Sequence, residues 1–488
     1  MNKLKPYLPL LLILFLSLIL RVVYLLHYGN FWDDEMFNLI YSQKAWPLGL
    51  KYWLWETNPP LLLLTLKIWF KIFPATEFFT RLPSLIAGVG TVYLTYLLGN
   101  KLFNKKIGLL AAFYLAINPF HIFWSVTARA YAALMLFSVW SAWYFYRLYF
   151  SEENTPAIRR SAAVVNFFLI FSHLSSLFLL AGQFLILIVT KGKKGAAGWI
   201  KNNLIPFILG AIWIGSSLLI KLGNDLGNAW FFNLRLSFKT FIDPLVNMLY
   251  LQQKFIPSII FLAIAILILG IALYKDIKQK KIIFPSFVVL ILVPLALAGV
   301  FGVWHIKFFM GVLPLAMVAL AYALYSFTPR GWIIYFFIAL VSFIGLQNLW
   351  HMLPITNWQN VGQFIAENKR ENTAILCNNF FLKTQIDYYL PDYSSLFIPL
   401  TAYQNLAWDD AVVKKNYIFK KLSEAEKEEW YKRNQIDKYS SIILLQDQKD
   451  YMNKIDDVLT KYGWILKKEP VDAQICGDYY LYLYEKTK

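Results

Sequence analysis

The chain has 488 residues, 58% of them apolar and 18% aromatic, with a mean hydropathy of +0.48. A soluble globule is nearer half apolar, so this composition calls for a bilayer. Lys and Arg number 47 against 29 Asp and Glu, but the cations fall in short clusters between apolar runs, the pattern of topology signals rather than of a phosphate-tracking face, and nucleic acid is excluded as a partner. The two cysteines, Cys377 and Cys476, lie near the C-terminus, so neither a disulfide framework nor a thiolate metal site organises the fold, and a single bridge between them requires a tail outside the cytoplasm.

In chain order, Lys3 and Lys5 precede an apolar run at 6–28 that is long enough to span and lacks a small-residue cleavage site; it reads as a retained first helix. Further spans are expected near 82–100, 107–126, 131–150, 199–221, 256–274, 282–303, 308–327 and 331–349. The run 161–190 is too long for one span and is bounded by Arg159 and Arg160 before it and by Lys191, Lys193 and Lys194 after it. If cations mark one side, it is a hairpin of two short helices turning at 172–176, which makes about eleven spans.

Pro59 to Pro74 is short for a span and carries Lys67 and Lys71. A span there would place Lys101, Lys105 and Lys106 outside, and every later basic loop with them, so it reads as a helix lying along the outer surface with its lysines reaching to water. The basic loops around Lys101, Arg147, Arg159, Lys191, Lys275 and Arg330 then share the cytoplasmic side with the N-terminus. Outside fall the loops 29–81 and 222–255, short turns near 127–130, 172–176 and 304–307, and the tail from about 351. That gives a multi-pass plasma-membrane protein with a membrane domain at 1–350 and an extracytoplasmic domain at 351–488. The tail mixes helical stretches, Trp358 to Lys369 and Ser423 to Asn434, with strand-like runs, Thr373 to Cys377, Ser440 to Leu445 and Tyr479 to Tyr484, and reads as a small α/β domain.

The densest acidic cluster of the N-terminal half, Asp33-Asp34-Glu35, follows the first span. A solvated acidic loop accounts for such a run as well as function does. The functional readings are a general base facing a substrate at the bilayer edge, or a pair of carboxylates holding a divalent cation. Glu56-Thr57-Asn58-Pro59-Pro60 is more often a helix start than a site, the prolines setting chain direction. Arg129, beside Tyr131 at the outer end of a span, is either a snorkelling anchor or a bidentate phosphate clamp. His173 lies at the hairpin turn, and His305 and Lys307 at another outer turn; taken singly, an interfacial Lys is more often an anchor than a ligand. The charge-derived topology places all of these on one side, and acids together with cations there suit a reaction on an anionic lipid.

These residues carry a resemblance. The Asp34-Glu35 pair after the first span, Asn58-Pro59-Pro60, Arg81-Leu82-Pro83-Ser84 with Gly88, Asn118-Pro119 followed by Ala128-Arg129-Ala130-Tyr131, the His173 turn, and Lys307-Phe308 before Pro314 resemble the GT-C membrane glycosyltransferases. The similar group is the one related to protein O-mannosyltransferases and lipid A aminoarabinose transferases. The likeness covers residues 1 to about 350 and is strongest from Phe31 to Tyr146. It implies a GT-C fold, a polyprenyl-phosphate sugar as donor, a reaction on the outer face with inversion, and no required cofactor or metal. By position, Asp34 matches the catalytic carboxylate and Glu35 its companion. Lys307 matches the basic residue on the lipid phosphate, and Arg129 and Tyr131 match positions lining the same cavity; His173 and His305 join this donor-binding set, and Asp33, Glu56 and Asn58 the substrate loop. Three positions depart from the common pattern: Asn58 where His or Lys is usual, Tyr131 where some members carry an acid, and Lys307-Phe308 in place of Arg-Tyr. They bear on the sugar and the phosphate contacts rather than on the reaction class.

The chemistry is consistent with one carboxylate and several cations. Displacing a sugar from a phosphodiester releases a phosphate monoester, already a stable anion, whereas a hydroxyl acceptor must lose its proton. The acceptor is a protein, lipid or glycan. Two other classes compete: a transporter or flippase of lipid-linked sugars, which predicts charges inside the spans, and an oligosaccharyltransferase-like enzyme with a divalent cation on Asp33, Asp34 or Glu35.

Overall fold

The computed structural model describes residues 5–56, 58–151, 153–221, 242, 244–246, 248, 256–308, 310–326, 342–350, 357–377, 380–399, 423–446, 452–468 and 480–486. Two compact units emerge: one from Met1–Leu26, Tyr41–Leu222 and Leu226–Met352, the other from His27–Ile40 and Leu353–Lys488.

The first unit is helical. Its helices are α1 (Leu8–His27), the end of α2 (Asp33–Gln43), α3 (Leu48–Trp55), α4 (Leu61–Trp69), α5 (Glu77–Leu102), α6 (Lys105–Ile117), α7 (Pro119–Ser125), α8 (Tyr131–Phe150), α9 (Pro156–Ser172), α10 (Ser176–Lys221), α11 (Ile256–Lys278), α12 (Ile283–Val300) and α13 (Leu313–Tyr325). By length and composition, four helices among the described residues can cross a membrane, or five if the bent pair α6–α7 counts as one span. Leu11, Leu12, Phe15, Leu18, Val23 and Leu26 of α1 are exposed, as are Ile205, Ile208, Ile212 and Leu219 of α10. Outward leucine and isoleucine over whole helices are what a hydrocarbon solvent selects.

The expected hairpin is present: α9 ends at Ser172, α10 opens at Ser176, and α10 breaks at Gly192, whose φ of 65° no other residue type adopts as readily. The segment expected to lie along the outer surface holds the nine-residue α4, too short to span. Its Lys67 ammonium reaches the carbonyl of Lys44 at 2.5 Å and lies 4.9 Å from the Trp46 ring. The single span expected at 107–126 is instead broken, with α6 and α7 meeting at 67°. Pro119 has no amide to continue the ladder and pushes Asn118 into extended backbone. The Asn118 carboxamide then caps α7, accepting from the His121 amide at 2.8 Å. The Arg21 guanidinium, fully buried in α1, donates to the orphaned Ala116 carbonyl at 3.2 Å and to His121 Nδ1.

Close backbone approaches set the helix spacing. A Cβ on Gly108 would lie 2.6 Å from the Tyr96 carbonyl oxygen, and one on Gly88 would lie 2.4 Å from Ser125 Cβ. A buried polar relay joins α8, α9 and α10: Ser141 donates to Asn166 at 2.6 Å, Asn166 to Asn203 at 2.6 Å, Gln183 to Ser141 at 2.8 Å and Trp199 to Gln183 at 3.1 Å. Its members satisfy one another, so the relay selects one mutual register of the three helices.

Several of the basic loops meet one another in this unit. The Lys105 ammonium reaches the Pro6 carbonyl at 2.5 Å, and Glu153 takes both Lys101 and Arg147. Those two cations, Lys101 first, hold its carboxyl below the usual carboxylate range. Lys191 lies 5.5 Å from the Phe150 ring, and Phe103 packs on Tyr322 at 4.1 Å.

In the second unit a five-stranded sheet has the order β2-β1-β3-β5-β4, from β1 (Thr373–Cys377), β2 (Phe397–Pro399), β3 (Ser441–Gln446), β4 (Trp464–Lys468) and β5 (Tyr480–Lys486). β2, β1 and β3 run parallel, and β3, β5 and β4 antiparallel. Strand alternation sends Ala374, Leu376, Ile442 and Leu444 to one face, under α16 (Glu424–Arg433) and α17 (Met452–Lys461), and Ile375, Ile443 and Leu445 to the other, under α14 (Trp358–Asn368) and α15 (Phe380–Tyr389). Three strands and two helices were legible in the sequence. β2, β4, α15 and α17 were not, since they are short or polar enough to be hidden among loops. Cys476, Arg330, most of 222–255 and the start of the span expected at 331–349 lie outside the described residues.

The Gly108 approach yields a test. Gly108→Ala pushes a methyl onto backbone that cannot yield and should lower stability by about 1–3 kcal/mol. Gly270→Ala, where nothing lies within 4 Å, should leave the protein unchanged or slightly more stable. Melting of the two detergent-solubilised variants checks this, and equal midpoints would refute the contact.

Candidate functional site

Five of the expected residues come together within the first unit, each placed by a helix terminus. Arg129 lies two residues before α8, His173 between α9 and α10, and His305 and Lys307 in the turn that leads to α13. Ring contacts join three of them to Phe308, the neighbour of Lys307. The Arg129 guanidinium is 5.7 Å from the Tyr131 ring, Tyr131 is 5.6 Å from His173, and His173 is 5.9 Å from Phe308. Trp124 of the bent helix α7 meets Tyr131 edge-on at 4.7 Å, and the break at Pro119 is what turns it there.

Both histidines are neutral by construction. The Ser175 amide donates to His173 Nδ1 at 3.2 Å, and the Ser175 hydroxyl lies 2.9 Å from the same atom. The Lys307 amide donates to His305 Nδ1 at 3.3 Å. An amide only donates, so Nδ1 accepts in each ring and the proton sits on Nε2. Burial pushes His173 down to about 3, helped by Arg129 and Lys307, and pushes His305 down to about 4, helped by Lys307. Two fixed cations and two neutral N–H donors thus share a site largely closed to water. The N-terminal ends of α8, α10 and α13 follow Arg129, His173 and Lys307 in sequence, and their backbone dipoles add positive potential in the same sense. Such a group favours an anion with several oxygens.

Glu56 and Asn58, also in the first unit, bracket each other, with Glu56 Oε1 accepting from the Asn58 side chain at 3.1 Å and from its amide at 3.4 Å. Asp34 and Glu35 open α2 in the second unit, Glu35 fully buried and Asp34 half-buried. The Asp33 side chain lies outside the described residues. No group of three His, Cys, Asp or Glu gathers in a metal-binding arrangement among the described residues.

Trp124, Ser175, Arg21 and His121 were not singled out by sequence reasoning. Arg21 carried a usable signal, because a guanidinium inside an apolar span demands a partner. His121 and Trp124 carried none, since only the bend at Pro119 brings them inward.

The comparisons with known proteins follow the same lines. Residues 57–219 match the family described as dolichyl-phosphate-mannose-protein mannosyltransferase. No curated protein matches the chain by sequence. Among solved structures, ArnT from Cupriavidus metallidurans is similar at a TM-score of 0.62 and 12% identity, over 97% of each chain. A second form of it, bound to undecaprenyl phosphate, gives 0.59 at 11% identity, again over 97% of each. The archaeal oligosaccharyltransferase AglB from Archaeoglobus fulgidus, in complex with an inhibitory peptide and a dolichol-phosphate, gives 0.57 at 13% identity, over 98% of this chain and 74% of that one. The fold is that of the GT-C glycosyltransferases, a helical membrane unit with a small C-terminal α/β sheet domain.

The histidines supply a pH test. Their folded-state values lie below the ordinary value near 6.5, so as pH falls through about 6.5 the unfolded chain takes up protons first. Their contribution is therefore fully present above that value and is lost toward about pH 4. The melting midpoint should fall from neutral to mildly acid pH, and fall less steeply in His173→Gln; identical slopes would contradict the buried neutral ring.

Proposed function

We propose that the protein is an inverting glycosyltransferase that moves a sugar from a polyprenyl-phosphate donor to a hydroxyl acceptor at the extracytoplasmic face of the plasma membrane. The observation that carries this reading is the gathering of Arg129, Lys307, His173 and His305, two cations and two neutral donors, at helix ends of a GT-C fold. That ArnT is seen with undecaprenyl phosphate and AglB with dolichol-phosphate agrees with a lipid phosphate as the anion.

The donor phosphate sits among these groups while Asp34 receives the acceptor's proton. The acceptor oxygen forms the new bond to the anomeric carbon from the side opposite the phosphate, and the carbon–oxygen bond to phosphate breaks. Its electron pair leaves with the lipid as a phosphate monoester. The cations meet the charge that grows on that oxygen, so no general acid is needed, and in this scheme no metal or cofactor either. Glu35, buried beside Asp34 in α2, acts as its companion; Tyr131 helps wall the donor site, and Asp33, Glu56 and Asn58 belong to the loop that meets the substrates. The N-terminus is cytoplasmic, the C-terminal domain lies outside, and that domain contributes to acceptor binding.

Replacing Asp34 with Asn should abolish sugar transfer from a polyprenyl-phosphate sugar without lowering the melting midpoint. Lys307→Ala should raise the donor KM, a lost charge-assisted contact being worth about 1.5–3 kcal/mol. Full activity of Asp34→Asn would dismiss the mechanism, and loss of wild-type activity on chelation would point to a metal-dependent version instead.

A further inference from the structure

The residues just before the acid-bearing helix are held by the C-terminal domain. The Phe31 amide donates to Tyr389 Oη at 2.7 Å, and the Phe31 carbonyl accepts from Gln385 Nε2 at 3.5 Å. Both main-chain groups of one residue are thereby taken by side chains of α15, more than 350 positions away in sequence. The neighbouring Asn30 carboxamide accepts from the Trp358 amide at 3.2 Å, satisfying an orphan donor in the first turn of α14. The rings close around these bonds. Phe31, fully buried, meets Tyr388 edge-on at 5.8 Å, and Tyr389 stacks on Trp358 at 5.9 Å and 8°. Gly29 just before them turns the chain at a φ of 76°. Immediately after them, the amides of Glu35 and Met36 both donate to the Trp32 carbonyl at 3.0 Å and start α2.

From this geometry we propose that Tyr389 and Gln385, with Asn30, are positioning residues for Asp34. A main-chain clamp two residues before a helix start fixes both the origin and the direction of that helix, and with them where its first-turn side chains stand. The C-terminal domain therefore acts on the reaction through the base and not only through the acceptor. This inference rests on the assignment of Asp34 as base; the clamp itself does not.

Tyr389→Phe removes the hydroxyl acceptor and keeps the ring on Trp358. In the full-length protein in lipid nanodiscs, amide hydrogen exchange over residues 28–43 should quicken several-fold, while exchange in β1 and β3 stays as in the wild type. Turnover should fall about fivefold, the value of one hydrogen bond, with the donor KM within twofold of the wild type. Unchanged exchange over 28–43 overturns the proposal, and so does an equal rise in β1 and β3, which would mean general loosening of the domain. Exchange that quickens as expected with turnover unaltered would sink the positioning role. Faster exchange in a protein whose wild type transfers no sugar would instead count against the proposed function. Should Tyr389→Phe not fold, Asn30→Ala is read by the same measurements.

Discussion

Positive charge held at the ends of apolar helices is the constraint on which the rest of this structure depends. Arg129 and Lys307 are set close to two imidazoles, and burial keeps both rings uncharged. The surroundings are poor in water, so each charge acts at longer range and with more force than it would at a wet surface. Every feature that places these groups is a helix terminus: the start of α8, the hairpin between α9 and α10, and the turn before α13. Termini leave unpaired amides and carbonyls, and the cluster uses them, two backbone amides fixing the tautomers of His173 and His305.

Keeping those termini together falls to the interior of the helical unit. The glycine contact between α5 and α6 and the Ser141–Asn166–Asn203–Gln183 relay set where the helices lie against one another. The Arg21–His121 pair holds the break that turns α7 inward and brings Trp124 onto Tyr131. In a bilayer the hydrophobic effect does not favour one helix packing over another, so such small-residue contacts and hydrogen bonds carry the specificity. The second unit works differently: its sheet is buried on both faces by helices, as in a water-soluble protein, and its stability comes from apolar burial.

The acidic segment does not belong where its position in the sequence suggests. Residues 27–40 follow the first helix directly, yet they pack with residues 353–488.

Several features follow from local physical chemistry and were legible in the sequence. Hydrophobic length and clustered cations specified a membrane protein, because a charge in hydrocarbon is costly wherever the chain goes. The same reasoning found the hairpin at 172–176, a short helix after Pro60 and the strands expected at Thr373 to Cys377 and Ser440 to Leu445, the second of which runs Ser441–Gln446; both strands are continuous apolar runs, as a sheet covered on both faces requires. It also brought Arg129, Tyr131, His173, His305 and Lys307 to one end of the helices. The break at Pro119 was readable in principle but hidden by the apolar run on either side. What no sequence pattern could state is pairing between distant segments: Arg21 with His121, and Phe31 with Tyr389 and Gln385. Composition and charge act residue by residue and so show in the chain itself. Contacts across a hundred or more positions exist only once the chain has folded, and only tertiary structure could decide them.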